Sequence, residues 1–245
     1  RHGMSLLLAT ALLGLIAGLL KSELRLPSSV YEFVSILLLL SIGLKGGVEL
    51  ARQPFLDLLP DILAAIAMGV LLPLVAFPVL LLVGRFKRAD AASIAAHYGS
   101  VSVGTYAVAV AWLASKNIEF EAQMPVLLVV LEIPAILVGI LLVRGRQNQT
   151  RWGEVMHEVF LGKGIVLLIG GLLIGWLSDP EALASIEPLF FDLFKGILAV
   201  FLLEMGLIAA GRAGSLRQHG VFLIAFGVVM PLFGALVGGV LGLGL

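Results

Sequence analysis

The sequence predicts an all-α membrane protein with several transmembrane helices. Hydrophobic residues make up 60% of the 245 residues and charged residues only 13%. Soluble domains average about 45–50% apolar and about 25% charged residues. The apolar residues form long stretches, and a helix crosses a hydrocarbon core of about 30 Å with roughly 20 of them. These stretches lack the alternating polarity of barrel strands, so helices are the predicted spanning elements.

Eight stretches qualify as membrane-spanning segments. In chain order, spans 1 to 8 are Ser5–Leu20, Val30–Leu44, Ile62–Val83, Ala91–Ser115, Met124–Val143, Gly164–Leu177, Leu189–Leu207 and Val221–Leu245. The loops on one side hold Lys21, Arg25, Arg85, Lys87, Arg88, Arg144, Arg146, Arg151, Lys163, Arg212 and Arg217, and those on the other side only Arg1, Lys45, Arg52 and Lys116. Since cytoplasmic loops carry the excess of Lys and Arg, we predict an inner (plasma) membrane protein with its N-terminus outside.

Composition also excludes several functions. The chain has no Cys, which removes disulfides, thiolate metal sites and cysteine nucleophiles. Sixteen basic residues balance sixteen acidic ones, so no overall charge points to nucleic acid. Neither a His-Glu-x-x-His zinc motif nor a phosphate-binding P-loop is present. We therefore predict that the protein is not an enzyme.

Three stretches of the first half recur in the second half in the same order. Gly14–Leu20 resembles Gly171–Leu177, Ile42–Leu44 resembles Met205–Leu207, and Gly69–Leu74 resembles Gly227–Leu232, at offsets of 157, 163 and 158 residues. Chance similarity between apolar helices is the alternative explanation of any single match. Three collinear matches favour an internal repeat.

A repeat unit of five spans has an odd number of crossings, so its second copy enters the membrane in the opposite orientation. Such inverted repeats are typical of secondary transporters. We predict a first five-helix repeat at residues 4–143, a cytoplasmic loop at 144–163 and the first three helices of the second repeat at 164–245. The counterparts of spans 4 and 5 would follow Leu245, so we expect the second repeat to be truncated.

Span 4 contains a stretch that disfavours helix. Residues 97–105, His-Tyr-Gly-Ser-Val-Ser-Val-Gly-Thr, lie between two helical sequences, and their Gly, Ser and Thr residues lower helix propensity. A break at membrane depth frees amides and carbonyls that must face a cavity or a ligand. The second half-helix would direct the positive end of its dipole at the break, where an anion can bind, and nearby oxygens can hold sodium. The alternative is a packing face of small residues.

Ionisable residues inside spans are functional candidates. Glu132 lies near the middle of span 5, and its carboxylate either coordinates an ion, relays protons or joins helices. His97 is either a proton site or a hydrogen-bonded structural histidine. Lys45, at the predicted end of span 2, either pairs with Glu49 or extends outward.

Four stretches carry a family resemblance: Ser22–Pro27, Ile42–Gly47, Tyr98–Thr105 and Glu132–Ala135. Together they resemble the sodium-dependent bicarbonate transporter family of cyanobacteria and its bacterial homologues. The resemblance implies ten helices in two inverted five-helix repeats with broken helices, a core domain, a gate domain and a homotrimer. The fold would be similar to sodium/proton antiporters and bile-acid symporters.

The resemblance also implies a binding site for bicarbonate and sodium where two broken helices cross. On this sequence its residues are Gly99, Ser100, Val101, Ser102, Val103, Gly104, Thr105 and Glu132, with sodium near Ser100, Ser102 and Thr105. Sodium would be the coupling ion, with no other cofactor. Some members bind a PII-like regulatory protein on the cytoplasmic face, although the short loop at 144–163 argues against one here.

The predicted function is sodium-coupled uptake of bicarbonate by elevator-type alternating access. Two alternatives share the fold: a cation/proton antiporter, and a symporter of another small anion. A third, from another class, is a membrane scaffold or receptor that transports nothing. A continuous span 4 would support this third alternative.

Overall fold

A computed structural model of the chain describes residues 6–52, 54–118, 120–121, 123–144 and 152–244. Throughout these residues the regular secondary structure is helical. The α-helices are α1 (Leu6–Leu19), α2 (Ser28–Arg52), α3 (Leu59–Pro78), α4 (Arg88–Gly99), α5 (Val103–Ser115), α6 (Met124–Arg144), α7 (Trp152–Phe160), α8 (Lys163–Leu177), α9 (Pro180–Glu187) and α10 (Phe194–Leu243). A 3-10 turn (Phe55–Leu58) precedes α3, and π-helical turns follow α3 (Val79–Val83) and α9 (Pro188–Asp192).

The helices account for all eight predicted spans. Five helical stretches are long and apolar enough to cross a membrane: Ser28–Arg52, Leu56–Val83, Met124–Arg144, Pro180–Gly214 and Gly220–Leu243. The shorter apolar helices α1 and α8 match spans 1 and 6, and α4 and α5 together match span 4. The prediction of an all-α polytopic membrane protein is confirmed.

The predicted end of span 2 is wrong. The hydropathy pattern placed it at Leu44, but α2 continues to Arg52. Charge is tolerated in these last two turns because Lys45 is exposed and because Arg52 Nη1 pairs with Glu49 Oε1 at 3.2 Å. Glu49 therefore pairs with Arg52, and the predicted Lys45–Glu49 pair is not formed.

Two further boundaries differ from the prediction. Span 7 was placed at Leu189–Leu207, whereas helical structure extends over Pro180–Gly214. Pro180 occupies the first turn of α9, where its missing N–H costs no hydrogen bond. The predicted loop at 144–163 contains α7, while its residues 145–151 lie outside the described part of the chain.

The first group of helices, here called the scaffold group, comprises α1, α2, α8 and the first part of α10. Its most extensive contacts join α2 to α8 and α1 to α10. Glycines at these crossings leave little or no room for a Cβ atom: Gly14 and Gly206 between α1 and α10, and Gly43, Gly47, Gly171 and Gly175 between α2 and α8. The helix backbones are therefore in direct contact, as small residues allow in membrane proteins.

The second group, here called the site group, comprises α3, α4, α6 and the last part of α10. Helices α3, α4 and α6 pack against one another in all three combinations. A cluster of buried side chains joins α3 and α4 to Phe226 and Met230 of α10. Tyr98 of α4 packs edge-to-face on Phe226, with 5.1 Å between ring centroids.

Helix α10 connects the two groups. Its first part packs through Leu198 against α1 and α2, and its last part packs through Phe226 and Met230 against α3 and α4. Gly220 lies between them with φ 51° and ψ −139°, a conformation that glycine adopts far more readily than other residues. One helical stretch is thus divided into two at this residue.

Candidate ion-binding site at a broken helix

The fourth span is interrupted, as predicted. Helix α4 ends at Gly99, and Ser100 is extended, with φ −94° and ψ 169°. Its N–H still donates to Ala96 O at 3.2 Å. Helix α5 begins at Val103, and its first intrahelical hydrogen bond runs from Tyr106 N–H to Ser102 O at 2.9 Å. The non-helical segment is residues 100–102, which is shorter than the predicted stretch of 97–105.

Glycine and proline residues of α3 set the position of the break. A Cβ atom at Gly99 would overlap the ring of Pro73 and would lie 2.9 Å from Gly69 O. Only glycine allows α3 to approach the end of α4 so closely. Since Pro73 and Gly69 are buried within α3, the last turn of α4 is fixed against a packed surface.

Ser102 begins the second half-helix. Its Oγ accepts a hydrogen bond from Thr105 N–H at 3.3 Å, which is the usual role of a serine at a helix N-terminus. The amides of Val103 and Gly104 precede the first intrahelical bond, so they belong to the unsatisfied donors of the helix N-terminus. These amides and the helix dipole favour an anion at this end of α5.

A carboxylate from α6 lies beside the break. Ser100 Oγ donates a hydrogen bond to Glu132 Oε2 at 3.2 Å, and both residues are half-buried. Glu132 lies 32 residues from Ser100 in the chain, so helix packing alone brings them together. The carboxyl oxygens of Glu132 therefore lie where α4 ends, near the last carbonyls of that helix, which carry partial negative charge.

The predicted site residues occupy four positions around the break. Gly99 is the last residue of α4; Ser100, Val101 and Ser102 form the interruption; Val103, Gly104 and Thr105 form the first turn of α5; Glu132 lies on α6. Ser102 and Thr105 are exposed. Val101 packs against a buried cluster formed by Ile42, Leu128, Val129 and Leu168. The described residues contain no group of three or more His, Asp or Glu that could hold a metal ion, so a cation here would depend on hydroxyl and carbonyl oxygens as well.

His97 belongs to the last turn of α4, and its Nδ1 makes a 2.7 Å hydrogen bond with Ser93 O of the same helix. Because a carbonyl oxygen can only accept, Nδ1 carries the proton in this contact. The interpretation as a hydrogen-bonded structural histidine matches this geometry.

Sequence reasoning missed a cavity next to the break. A space of about 610 Å³ lies between α2, α5, α6 and the start of α10, and Lys45, Tyr106 and Lys195 are among its lining residues. Lys45 was interpreted as extending outward or pairing with Glu49. Its position among small and apolar residues, Ile-Gly-Leu-Lys-Gly-Gly, was the available signal of a cavity.

An interrupted helix beside a half-buried carboxylate, within a bundle of membrane-spanning helices, is typical of secondary transporters. A sequence model of the Na+-dependent bicarbonate transporter superfamily matches residues 7–245, nearly the whole chain, and the chain belongs to this superfamily. No individual curated protein matches the chain. The resemblance stated from the sequence is confirmed, and the family implies a transporter of bicarbonate and sodium rather than an enzyme.

Proposed function

We propose that the protein takes up bicarbonate together with sodium by elevator-type alternating access. The observation that carries the proposal is the hydrogen bond from Ser100, in the helix break, to Glu132 on α6. It places a carboxylate and a hydroxyl beside the negative end of α4 and close to the positive end of α5. Opposite partial charges on the two sides of one interruption suit a cation and an anion bound together.

In this proposal sodium binds Glu132 and the hydroxyls of Ser100, Ser102 and Thr105. Oxygen ligands suit a hard cation. Bicarbonate accepts hydrogen bonds from the amides of Val103 and Gly104, which begin α5. No other cofactor is needed.

Paired contacts support the proposal that residues 4–143 and 164–245 are inverted repeats. A Cβ atom at Gly206 of α10 would overlap Ala11 O, and one at Gly43 of α2 would lie 2.6 Å from Leu168 O. Residues 11 and 168 are 157 apart, and residues 43 and 206 are 163 apart. These separations equal two of the offsets between the matching stretches of sequence.

A second pair of contacts is related by the same two residue offsets. A Cβ atom at Gly14 would overlap Leu203 O, and one at Gly171 would lie 3.0 Å from Leu40 O. Residues 14 and 171 are again 157 apart, and residues 40 and 203 are 163 apart. A two-fold relation that exchanges α1 with α8 and α2 with the first part of α10 accounts for both pairs.

The two groups of helices support the elevator mechanism. The scaffold group is joined through close backbone contacts, whereas α4, the first half of the broken helix, and α6, which carries Glu132, belong to the site group. Apolar side chains meet where the two groups join, with Ile42 and Leu168 on one side and Leu128 and Val129 on the other. Such a surface has few polar bonds to break when one group moves past the other.

Location and assembly complete the proposal. The distribution of Lys and Arg favours the plasma (inner) membrane, an external N-terminus and a cytoplasmic loop at 144–163. The homotrimer and the PII-like partner rest on the family resemblance alone.

The test is uptake of labelled bicarbonate by proteoliposomes that contain the full-length protein. An inward sodium gradient should raise uptake above that of protein-free liposomes, and equal sodium on both sides should abolish accumulation. Liposomes with neither protein nor gradient correct for carbon dioxide that crosses the bilayer. Uptake that follows a proton gradient, or that ignores sodium, would contradict the proposal and favour the antiporter or another anion.

A further inference from the structure

The cavity between α2, α5 and α10 is distinct from the helix break and contains its own charged groups. Its walls include Lys45 and Arg52 of α2, and Lys195 of α10. They also include three acidic residues: Glu49, Glu187 and Asp192. The arrangement of these charges along the two walls decides what the cavity can bind.

Lys45 lines the cavity from the middle of α2, together with Ser41 and Ile42. Residues 41–44, 46 and 47 are buried, and Lys45 alone among residues 41–47 is exposed. The ion pairs between described residues, Arg52–Glu49 and Lys163–Glu32, do not include it. A lysine inside a span requires water or a counter-ion, and no described carboxylate provides the latter.

The acidic residues lie toward the ends of both walls. On α2, Glu49 is one turn beyond Lys45, and its charge is engaged by Arg52 at 3.2 Å. On the other wall, Glu187 and Asp192 precede Lys195. On each wall, the lysine therefore lies farther into its helix than the acidic residues do.

Tyr106 extends the cavity to the broken helix. It lines the cavity and lies three residues after Val103, the first residue of α5. Its hydroxyl can donate a hydrogen bond to an oxyanion. The cavity thus adjoins the helix whose N-terminal amides are the proposed bicarbonate ligands.

We infer that Lys45, Lys195 and Tyr106 form a vestibule that binds a small inorganic oxyanion on its way to the helix break. Neither lysine is in an ion pair between described residues, so each ammonium keeps three donors that can follow a hydrated ion. This inference rests on the proposed function, because it assigns the break as the next site of the same anion.

Charge removal at Lys45 gives the first test. Lys45→Gln should raise the KM for bicarbonate about fivefold, equivalent to about 1 kcal/mol, and should leave the maximal rate and the half-saturating sodium concentration unchanged. Lys45→Arg should retain most of the affinity. Lys116→Gln removes an exposed lysine that does not line the cavity, and it should behave like the wild type. An unchanged KM in Lys45→Gln would overturn the inference.

A labelling experiment gives a second readout that does not depend on transport. The chain has no cysteine, so Lys45→Cys supplies a single thiol. Bicarbonate without sodium should slow its reaction with an anionic methanethiosulfonate reagent at least about threefold, which corresponds to about 0.65 kcal/mol. A cationic reagent, which restores positive charge, should restore the KM. The thiol of Lys116→Cys should react at a rate that bicarbonate does not change.

The two experiments separate this inference from the proposed function. Protection by bicarbonate in a protein that shows no sodium-driven uptake would support the vestibule and overturn the coupling mechanism. Sodium-driven uptake with an unprotected thiol and an unchanged KM would support the coupling mechanism and overturn the vestibule.

Discussion

The scaffold group and the site group both use glycine to bring helices together, but the glycines meet different atoms. In the scaffold group a Cβ at Gly47 would overlap Leu172 O and one at Gly175 would overlap Leu44 O, so backbone contacts backbone. At Gly99 and Gly69 of the site group the nearest atoms belong to proline side chains, and backbone oxygens lie slightly farther away. Gly99 faces the Pro73 ring and Gly69 faces the Pro134 ring, 2.8 Å from the position of an added Cβ.

This difference separates two uses of close packing. Backbone contact at these crossings, such as Gly14 with Leu203 and Gly43 with Leu168, leaves no room for even a Cβ atom. In the site group, the packing of Gly99 against Pro73 brings α3 close to α4 at the point where α4 ends. The amides and carbonyls released by the interruption are then available to ions.

The largest expected effect is a loss of stability when a side chain is introduced where two backbones touch in the scaffold group. Gly175→Val places a branched side chain against Leu44 O, and overpacking of this kind costs about 3 kcal/mol or more. We expect the detergent-solubilised protein to lose its monodisperse peak in size-exclusion chromatography. The matched control is Gly170→Val on the same helix, because nothing lies within 4 Å of a Cβ added there. Equal stability of the two variants would show that the contact does not hold the scaffold together.

A smaller effect, on transport rather than folding, is expected at the carboxylate of the site group. Glu132→Gln keeps the shape and an acceptor for Ser100 but removes the charge. A hydrogen bond to a charged group contributes about 1.5–3 kcal/mol, so sodium-dependent uptake should fall about tenfold to a hundredfold. The elution profile and melting temperature should stay near those of the wild type.

Glu32→Gln is the control for this variant. Glu32 lies 3.5 Å from Lys163 in an exposed ion pair, which contributes at most about 1 kcal/mol. Normal uptake by a well-folded Glu132→Gln protein would make Glu132 a packing residue and would remove it from the proposed sodium site.

The smallest expected effect, on the sodium requirement, comes from removing the hydroxyl groups at the helix break. Ser102→Ala and Thr105→Ala should each raise the half-saturating sodium concentration about fivefold, since one hydrogen-bonding group contributes about 1 kcal/mol. Ser102→Ala should also lower stability by about 1 kcal/mol through loss of the helix cap. Ser93→Ala, at an exposed position of α4, serves as the control. Sodium dependence identical to the wild type would exclude both hydroxyls from the site.

The parts of the fold that were predicted depend on local signals. Hydropathy located the eight spans, and the Gly and Ser content of residues 97–105 located the interruption. The hydropathy pattern predicted too early an end for α2, because the charge of Lys45 lowers the local hydropathy even though this side chain lines a cavity. It also gave no reason to extend the seventh span back to Pro180.

The parts that could not be predicted depend on contacts between distant residues. Glu132 and Ser100 were both singled out, but only packing of α6 against α4 shows that they share a hydrogen bond. The same holds for Lys45 and Lys195, which come from different halves of the chain and line one cavity. The distance in space between residues that are far apart in the chain cannot be read from a single sequence.

The kink in α10 has a mechanical consequence. A continuous helix is a stiff rod, and it would transmit any rotation of the scaffold group directly to the site group. Gly220, with φ 51°, interrupts the helix at a residue whose backbone torsions are the least restricted of any amino acid. In the proposed elevator movement, Gly220 would be the point at which the two parts of α10 change their relative orientation, each remaining packed against its own set of helices.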